Sequence, residues 1–95
     1  MDIDLSKYTD TAELLKTIAH PVRLCIINGL LENGECNVTH MQNCLGTPQS
    51  TVSQHLQKLR MAGIIVGRRN GLEIYYQVCN DKVAVLMKAL FNENI

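Results

Sequence analysis

The side chains able to do covalent or metal chemistry are four cysteines, Cys25, Cys36, Cys44 and Cys79, and three histidines, His20, His40 and His55. Cys36, His40 and Cys44 recur at i, i+4 and i+8, the spacing of one helical face, where thiolate and imidazole can share zinc, cadmium or another soft metal ion. Against that, Cys36 precedes the residue best suited to cap the helix. Cys44 falls beside Met41 and Leu45 on a side expected to be buried, where cysteine acts as a small hydrophobe. Catalytic sets are missing from the sequence. There is no Cys-His-acid arrangement with a supporting motif, no pair of carboxylates and no phosphate-binding glycine loop, so an enzyme is not expected.

A second constellation is polar. Thr47, Gln49, Ser50, Thr51, Ser53, Gln54, His55 and Lys58 form a stretch without an acid, able to approach a polyanion without repulsion. Glutamine can pair with adenine edges, and serine or threonine can bond bases or phosphates. Thr51 and Ser53 are poor interior helix formers, and contact with DNA would account for them. The formal net charge of zero hides a segregation. Residues 1–46 carry three basic and six acidic side chains; residues 47–79 carry Lys58, Arg60, Arg68 and Arg69 against Glu73 alone. A local basic surface, not the overall balance, attracts phosphate.

The elements that must hold these residues follow from periodicity and breakers. Residues 1–8 read as a loose arm. Asp10 with Glu13 resembles a helix start, and Ala12, Leu14, Leu15 and Ile18 carry its apolar stripe. His20-Pro21 breaks and restarts the chain into a broadly apolar second helix that should close near Asn33-Gly34. Asn37 can cap a short third helix to about Leu45, with Val38, Met41, Cys44 and Leu45 buried and Gly46 ending it. Thr47 as cap and Pro48 in the first turn open a fourth helix, whose Val52, Leu56 and Leu59 share one face. The period then shortens. Two β-rich runs, 64–69 and 73–78, flank Asn70-Gly71, a strong hairpin signal. A last helix runs from Asp81 to about Asn92. The expected fold is mainly α with a small hairpin: a winged helix-turn-helix over residues 1–95, as one domain, with basic Arg68 and Arg69 beside Asn70 at the wing. The outer helices carry more apolar surface than a 95-residue monomer hides easily. Pairing the first and last helices across a two-fold axis would bury it.

His20-Pro21-Val22-Arg23-Leu24, Ser50-Thr51-Val52-Ser53-Gln54-His55-Leu56, Leu59-Arg60, Ala62-Gly63-Ile64-Ile65, Arg68-Arg69-Asn70-Gly71 and Ile74-Tyr75-Tyr76 closely resemble the ArsR/SmtB family of bacterial repressors. The resemblance spans about residues 11 to 91. It implies a dimeric winged-helix repressor on double-stranded operator DNA, released by a small inducer: a metal ion, an arsenical, a reactive sulfur species or an oxidant. It also implies that the fourth helix enters the major groove while the hairpin tip meets the backbone or minor groove. Arg23 and His55 match common family positions, and His55 has a second reading as a link between helix and core. The Cys-x-Cys of many soft-metal members is replaced by Glu35-Cys36-Asn37-Val38-Thr39, and residues 81–95 lack the Asp/His set of zinc sensors. A branch that senses reactive sulfur or oxidants pairs a thiol on the second helix with one on the last. That resemblance implies Cys25 and Cys79 as sensing thiols, although Cys25 is displaced by three residues and Cys79 precedes the last helix. Thiol sensing is placed ahead of the metal alternative at Cys36, His40 and Cys44. A winged helix that binds a protein instead of DNA is the other alternative. The apolar runs are too short to span a membrane, and free cysteines without a leader segment suit the cytoplasm.

Overall fold

A computed structural model of the chain describes residues 2–91. Its order is α1 (Ser6–Ile18), α2 (Pro21–Asn33), β1 (Cys36–Asn37), α3 (Val38–Leu45), α4 (Gln49–Met61), β2 (Ile65–Asn70), β3 (Glu73–Val78) and α5 (Asp81–Phe91). The expected winged helix-turn-helix is present. Asn92, the anticipated end of the last helix, lies outside the described residues, as does Met1.

Local sterics account for most boundaries. His20 is extended, and its Nδ1 accepts the Val22 N–H at 3.1 Å, so the imidazole itself caps α2 while Pro21 fills the first helical position. The axes of α1 and α2 turn by 90° at this break. Asn37 Oδ1 accepts the His40 N–H at 2.8 Å, which makes Asn37 the cap of α3 as expected. Two starts differ from expectation. α1 begins at Ser6, not Asp10, because the Asp4 carboxylate already accepts the Ser6 N–H at 2.9 Å; the arm is correspondingly shorter. Thr47 does not cap α4: its hydroxyl donates back to the Leu45 carbonyl at 3.3 Å, and the Pro48 carbonyl opens the helix.

The sheet is three-stranded and antiparallel in the order β1-β3-β2. The two-residue β1, absent from the sequence reading, is too short to show a period of its own. It pairs Cys36 with Tyr76 and Asn37 with Tyr75. In the hairpin Asn70 pairs with Glu73, so the loop is Gly71-Leu72 and not Asn70-Gly71. Gly71 alone of the two has positive φ, at 67°, which suits a turn with glycine at its first central position.

The core is one cluster. Ile26, Ile27 and Leu30 of α2, Met41 of α3, Val52, Leu56 and Leu59 of α4, and Val83 and Met87 of α5 meet around Ile64 and Ile65. Tyr8 and Leu15 of α1 and Val85, Leu90 and Phe91 of α5 remain exposed. Among the described residues no single helix is long and apolar enough to cross a membrane.

Gly67 marks a tight contact inside the hairpin. A Cβ there would lie 2.9 Å from Ile74 Cγ2 and 3.1 Å from the Tyr76 ring. Gly29, inside α2, has open space around it. Gly67→Ala is expected to destabilise the chain by about 1–3 kcal/mol through overpacking. Gly29→Ala should instead stabilise it by up to about 1 kcal/mol through helix propensity. Urea unfolding of the two variants checks both signs.

Candidate nucleic-acid interface

Burial of Val52, Leu56 and Leu59 fixes how α4 is rotated, and the opposite side is necessarily outward. Ser50, Gln54 and Lys58, at i, i+4 and i+8, form its exposed outer ridge. Gln49 is exposed at the N-terminal end, with Thr51 half-buried beside the ridge and Thr47 half-buried in the preceding turn. Ser53 and Gln57 turn toward the hairpin.

Between α4 and the hairpin runs a groove of about 790 Å³ lined by Ser53, Gln57, Arg60, Arg69, Tyr76 and Cys79 among others, with no carboxylate in its walls. Gln57 was not among the expected interface residues, and Arg60 was counted only toward the local basic charge. Their signal was available in the spacing, since Ser53, Gln57 and Arg60 fall at i, i+4 and i+7.

The strand register separates the two wing arginines. Arg68 pairs with Tyr75 and Arg69 with Ile74, so their side chains leave opposite faces of the hairpin. Arg69 borders the groove beside α4. Arg68 lies over the Tyr75 ring, 5.5 Å from its centroid, and its Nη2 is 2.6 Å from Glu35 Oε1. That pair is solvated and contributes little stability, but it offsets one of the two cations counted at the wing. Asn70 is exposed at the tip.

His55, grouped with the DNA-facing stripe, is turned back toward the protein. Its Nδ1 accepts a hydrogen bond from Arg23 Nε at 3.1 Å, and Arg23 Nη1 donates to the Thr17 carbonyl at 2.8 Å. The His20 and His55 ring centroids are 4.5 Å apart. One cation therefore ties the end of α1, α2 and the middle of α4 together, the linking role that was the second reading of His55. On this flank Lys16, Arg23 and Lys58 border a shallower basic groove.

The cysteines do not group as expected. Cys25 shares a small cavity with Cys36, His40 and Cys44, whereas Cys79 lies in the α4–hairpin groove with its Sγ 3.6 Å from the Gly63 carbonyl. Cys25 and Cys79 are thus not a pair, because the packing of α2 sends Cys25 toward α3. The burial expected of Cys44 is reversed: Cys36 is buried and Cys44 exposed. Among the described residues no three His, Cys, Asp or Glu side chains converge as metal ligands, so Cys36, His40 and Cys44 do not form a ready metal site.

The comparisons agree with this architecture. The profile described as "Bacterial regulatory protein, arsR family" matches residues 20–66. The transcriptional repressor PagR of Bacillus anthracis is 49% identical over 88 residues, 93% of this chain and 88% of that protein. Its crystal structure superposes with a TM-score of 0.82 at 48% identity, covering 92% of this chain and 99% of the other. The biofilm growth-associated repressor of Xylella fastidiosa is 43% identical, over 86% of this chain and 71% of its own length. Reduced HlyU from Vibrio cholerae superposes with a TM-score of 0.86 at 30% identity, covering 93% of this chain and 92% of the other.

The Arg23–His55 contact implies a pH dependence. Burial first, then the charges of His20, Arg23 and Lys58, holds the His55 pKa below its ordinary 6.5. The unfolded chain therefore takes up this proton before the folded one. The stabilisation is complete above pH 6.5 and is lost as pH falls from there through the lower folded value. The urea midpoint should fall more between about pH 7.5 and 5.5 in the wild type than in His55→Asn. Equal falls in the two would remove His55 as the titrating group.

Proposed function

The chain belongs to the ArsR family of bacterial regulatory proteins and is a DNA-binding transcriptional repressor, and from that premise we propose how it reads and leaves its operator. α4 lies in the major groove with Ser50 and Gln54 toward base edges. Thr47, Gln49 and Thr51 approach phosphates near its N-terminus. Lys58, Arg60, Arg69 and Asn70 meet the backbone on either side, and Ser53 contributes to the groove beside the wing. His55 holds α4 at the right rotation through Arg23. The observation that carries this reading is the acid-free groove bordered by Arg60 and Arg69 next to an acid-free helix ridge. Such a surface gains by releasing counterions from DNA.

We further propose a homodimer joined through α1 and α5, whose exposed Tyr8, Leu15, Val85, Leu90 and Phe91 would be covered by the second copy. The two recognition helices would then face half-sites about 34 Å apart. For the inducer, a small thiol-reactive molecule is favoured over a metal ion, because three thiols border one cavity while no three ligands converge among the described residues.

Fluorescence anisotropy on duplex DNA from upstream of its own gene tests the interface. Log affinity should fall linearly with log salt, which an apolar protein-binding surface would not show. Arg69→Glu should weaken binding at least about tenfold on any sequence and flatten the salt slope by about one contact or more. Arg68→Glu should do less, since its charge is already paired. Gln54→Ala should cost about 1–3 kcal/mol on the cognate site and little elsewhere. Equal losses for Arg68→Glu and Arg69→Glu would refute the assignment of Arg69 to the DNA side.

A further inference from the structure

Three of the four cysteines and one histidine border a single cavity of about 100 Å³ between α2, β1 and α3. Ile26, Leu30 and Leu45 supply much of its remaining wall, which is largely apolar. The thiols are not equivalent. Cys36 is buried, and burial, followed by the charges of Cys44 and Glu35, pushes its thiol up, so it stays neutral. Cys44 is exposed, and its Sγ lies 3.5 Å from His40 Nε2, one helical turn away. Among the described residues this is the cysteine with an imidazole placed to take its proton during attack.

We infer that this cavity is the inducer site, and that it takes a small neutral carbon electrophile, an α,β-unsaturated aldehyde or ketone, which alkylates Cys44. The inference rests on the reading of the chain as a repressor that leaves DNA when an inducer arrives. An aliphatic wall favours an uncharged, largely apolar molecule over a hydrated ion or peroxide. At about 100 Å³ the cavity is smaller than the ~150 Å³ apolar cavities that take benzene, so it suits a molecule of only a few non-hydrogen atoms. In the step itself His40 Nε2 takes the thiol proton, and the thiolate sulfur bonds to the β-carbon. The C=C π pair shifts to give an enolate, and the imidazolium returns the proton to the α-carbon. A thioether and an intact carbonyl result, with no net oxidation and no further reactant.

The position of the cavity links this chemistry to the interface. Its α3 wall is the first helix of the helix-turn-helix, and Met41 of α3 packs in the same core as Val52 and Leu56 of α4. Cys36 also stands opposite Tyr76 in the β1–β3 ladder, at the base of the wing. An adduct wedged between α2 and α3 therefore shifts α3 and, through it, α4.

The test uses the reduced full chain with crotonaldehyde as the probe. Peptide mapping by mass spectrometry should find one adduct per chain, on Cys44, and operator affinity measured on the modified protein should fall at least about tenfold. Cys44→Ala should bind the same DNA as the wild type and ignore crotonaldehyde. Cys36→Ala should still respond, and His40→Gln should form the adduct at least about tenfold more slowly. First modification at Cys25 or Cys79, an unchanged rate in His40→Gln, or a Cys44 adduct that leaves affinity unchanged would each overturn the inference. Failure of the unmodified protein to bind DNA at low salt would instead sink the repressor reading, while the adduct map would still decide whether Cys44 is the reactive thiol.

Discussion

The burial of one face of α4 governs the rest of the molecule. Val52, Leu56 and Leu59 are almost without exposure. Removing side chains of this kind from water contributes on the order of 1.5–3 kcal/mol each. Three such anchors over two turns leave α4 one rotation about its axis. The outer ridge of Ser50, Gln54 and Lys58 is the geometric complement of that stripe, so the surface proposed to read DNA is set by residues buried on the other side of the helix. A rigid element carrying the contacts holds their spacing better than a loop could.

Two polar arrangements refine what the stripe sets. On one flank Arg23 joins the Thr17 carbonyl to His55, and His20 both caps α2 and lies against the His55 ring. Because Arg23 donates to His55 Nδ1, the link needs an unprotonated nitrogen, and its strength is tied to pH. On the other flank the hairpin register sends Arg69 toward the α4 groove and Arg68 toward Glu35 and Tyr75. Gly67 lets Ile74 and Tyr76 close over the strand on the groove side. The basic groove thus depends on a missing side chain as much as on the arginines.

The cavity between α2 and α3 sits behind this apparatus. Helix α3 is short, capped at one end by Asn37 and closed at the other by Gly46, and it presents Met41 to the core. It buries one side chain fully, Met41, with Val38 and Leu45 packed partly buried against the core, where α2 and α4 each bury three. A bulky group bonded at Cys44, as proposed, would press on α3, the first helix of the helix-turn-helix.

What the sequence determined by itself is whatever depends on neighbours within a turn or two. Proline after His20, the Asn37 cap, glycine at the ends of α2 and α3 and the 52-56-59 stripe act through local sterics and helical period, and those elements are where they were expected. Arg23 and His55 also carry a family resemblance, and both lie within residues 20–66, the span that the arsR family profile matches. Contacts between residues far apart in the chain were decided only by tertiary structure. A hairpin loop one residue later than Asn70-Gly71 placed Arg68 and Arg69 on their respective faces, since side chains alternate along a strand. Glu35, counted with an acidic N-terminal half, came to rest on the wing. Cys25 met Cys36 and Cys44, and not Cys79, because the rotation of α2 is chosen by Ile26, Ile27 and Leu30 seeking the core, and its thiol goes where those leave it.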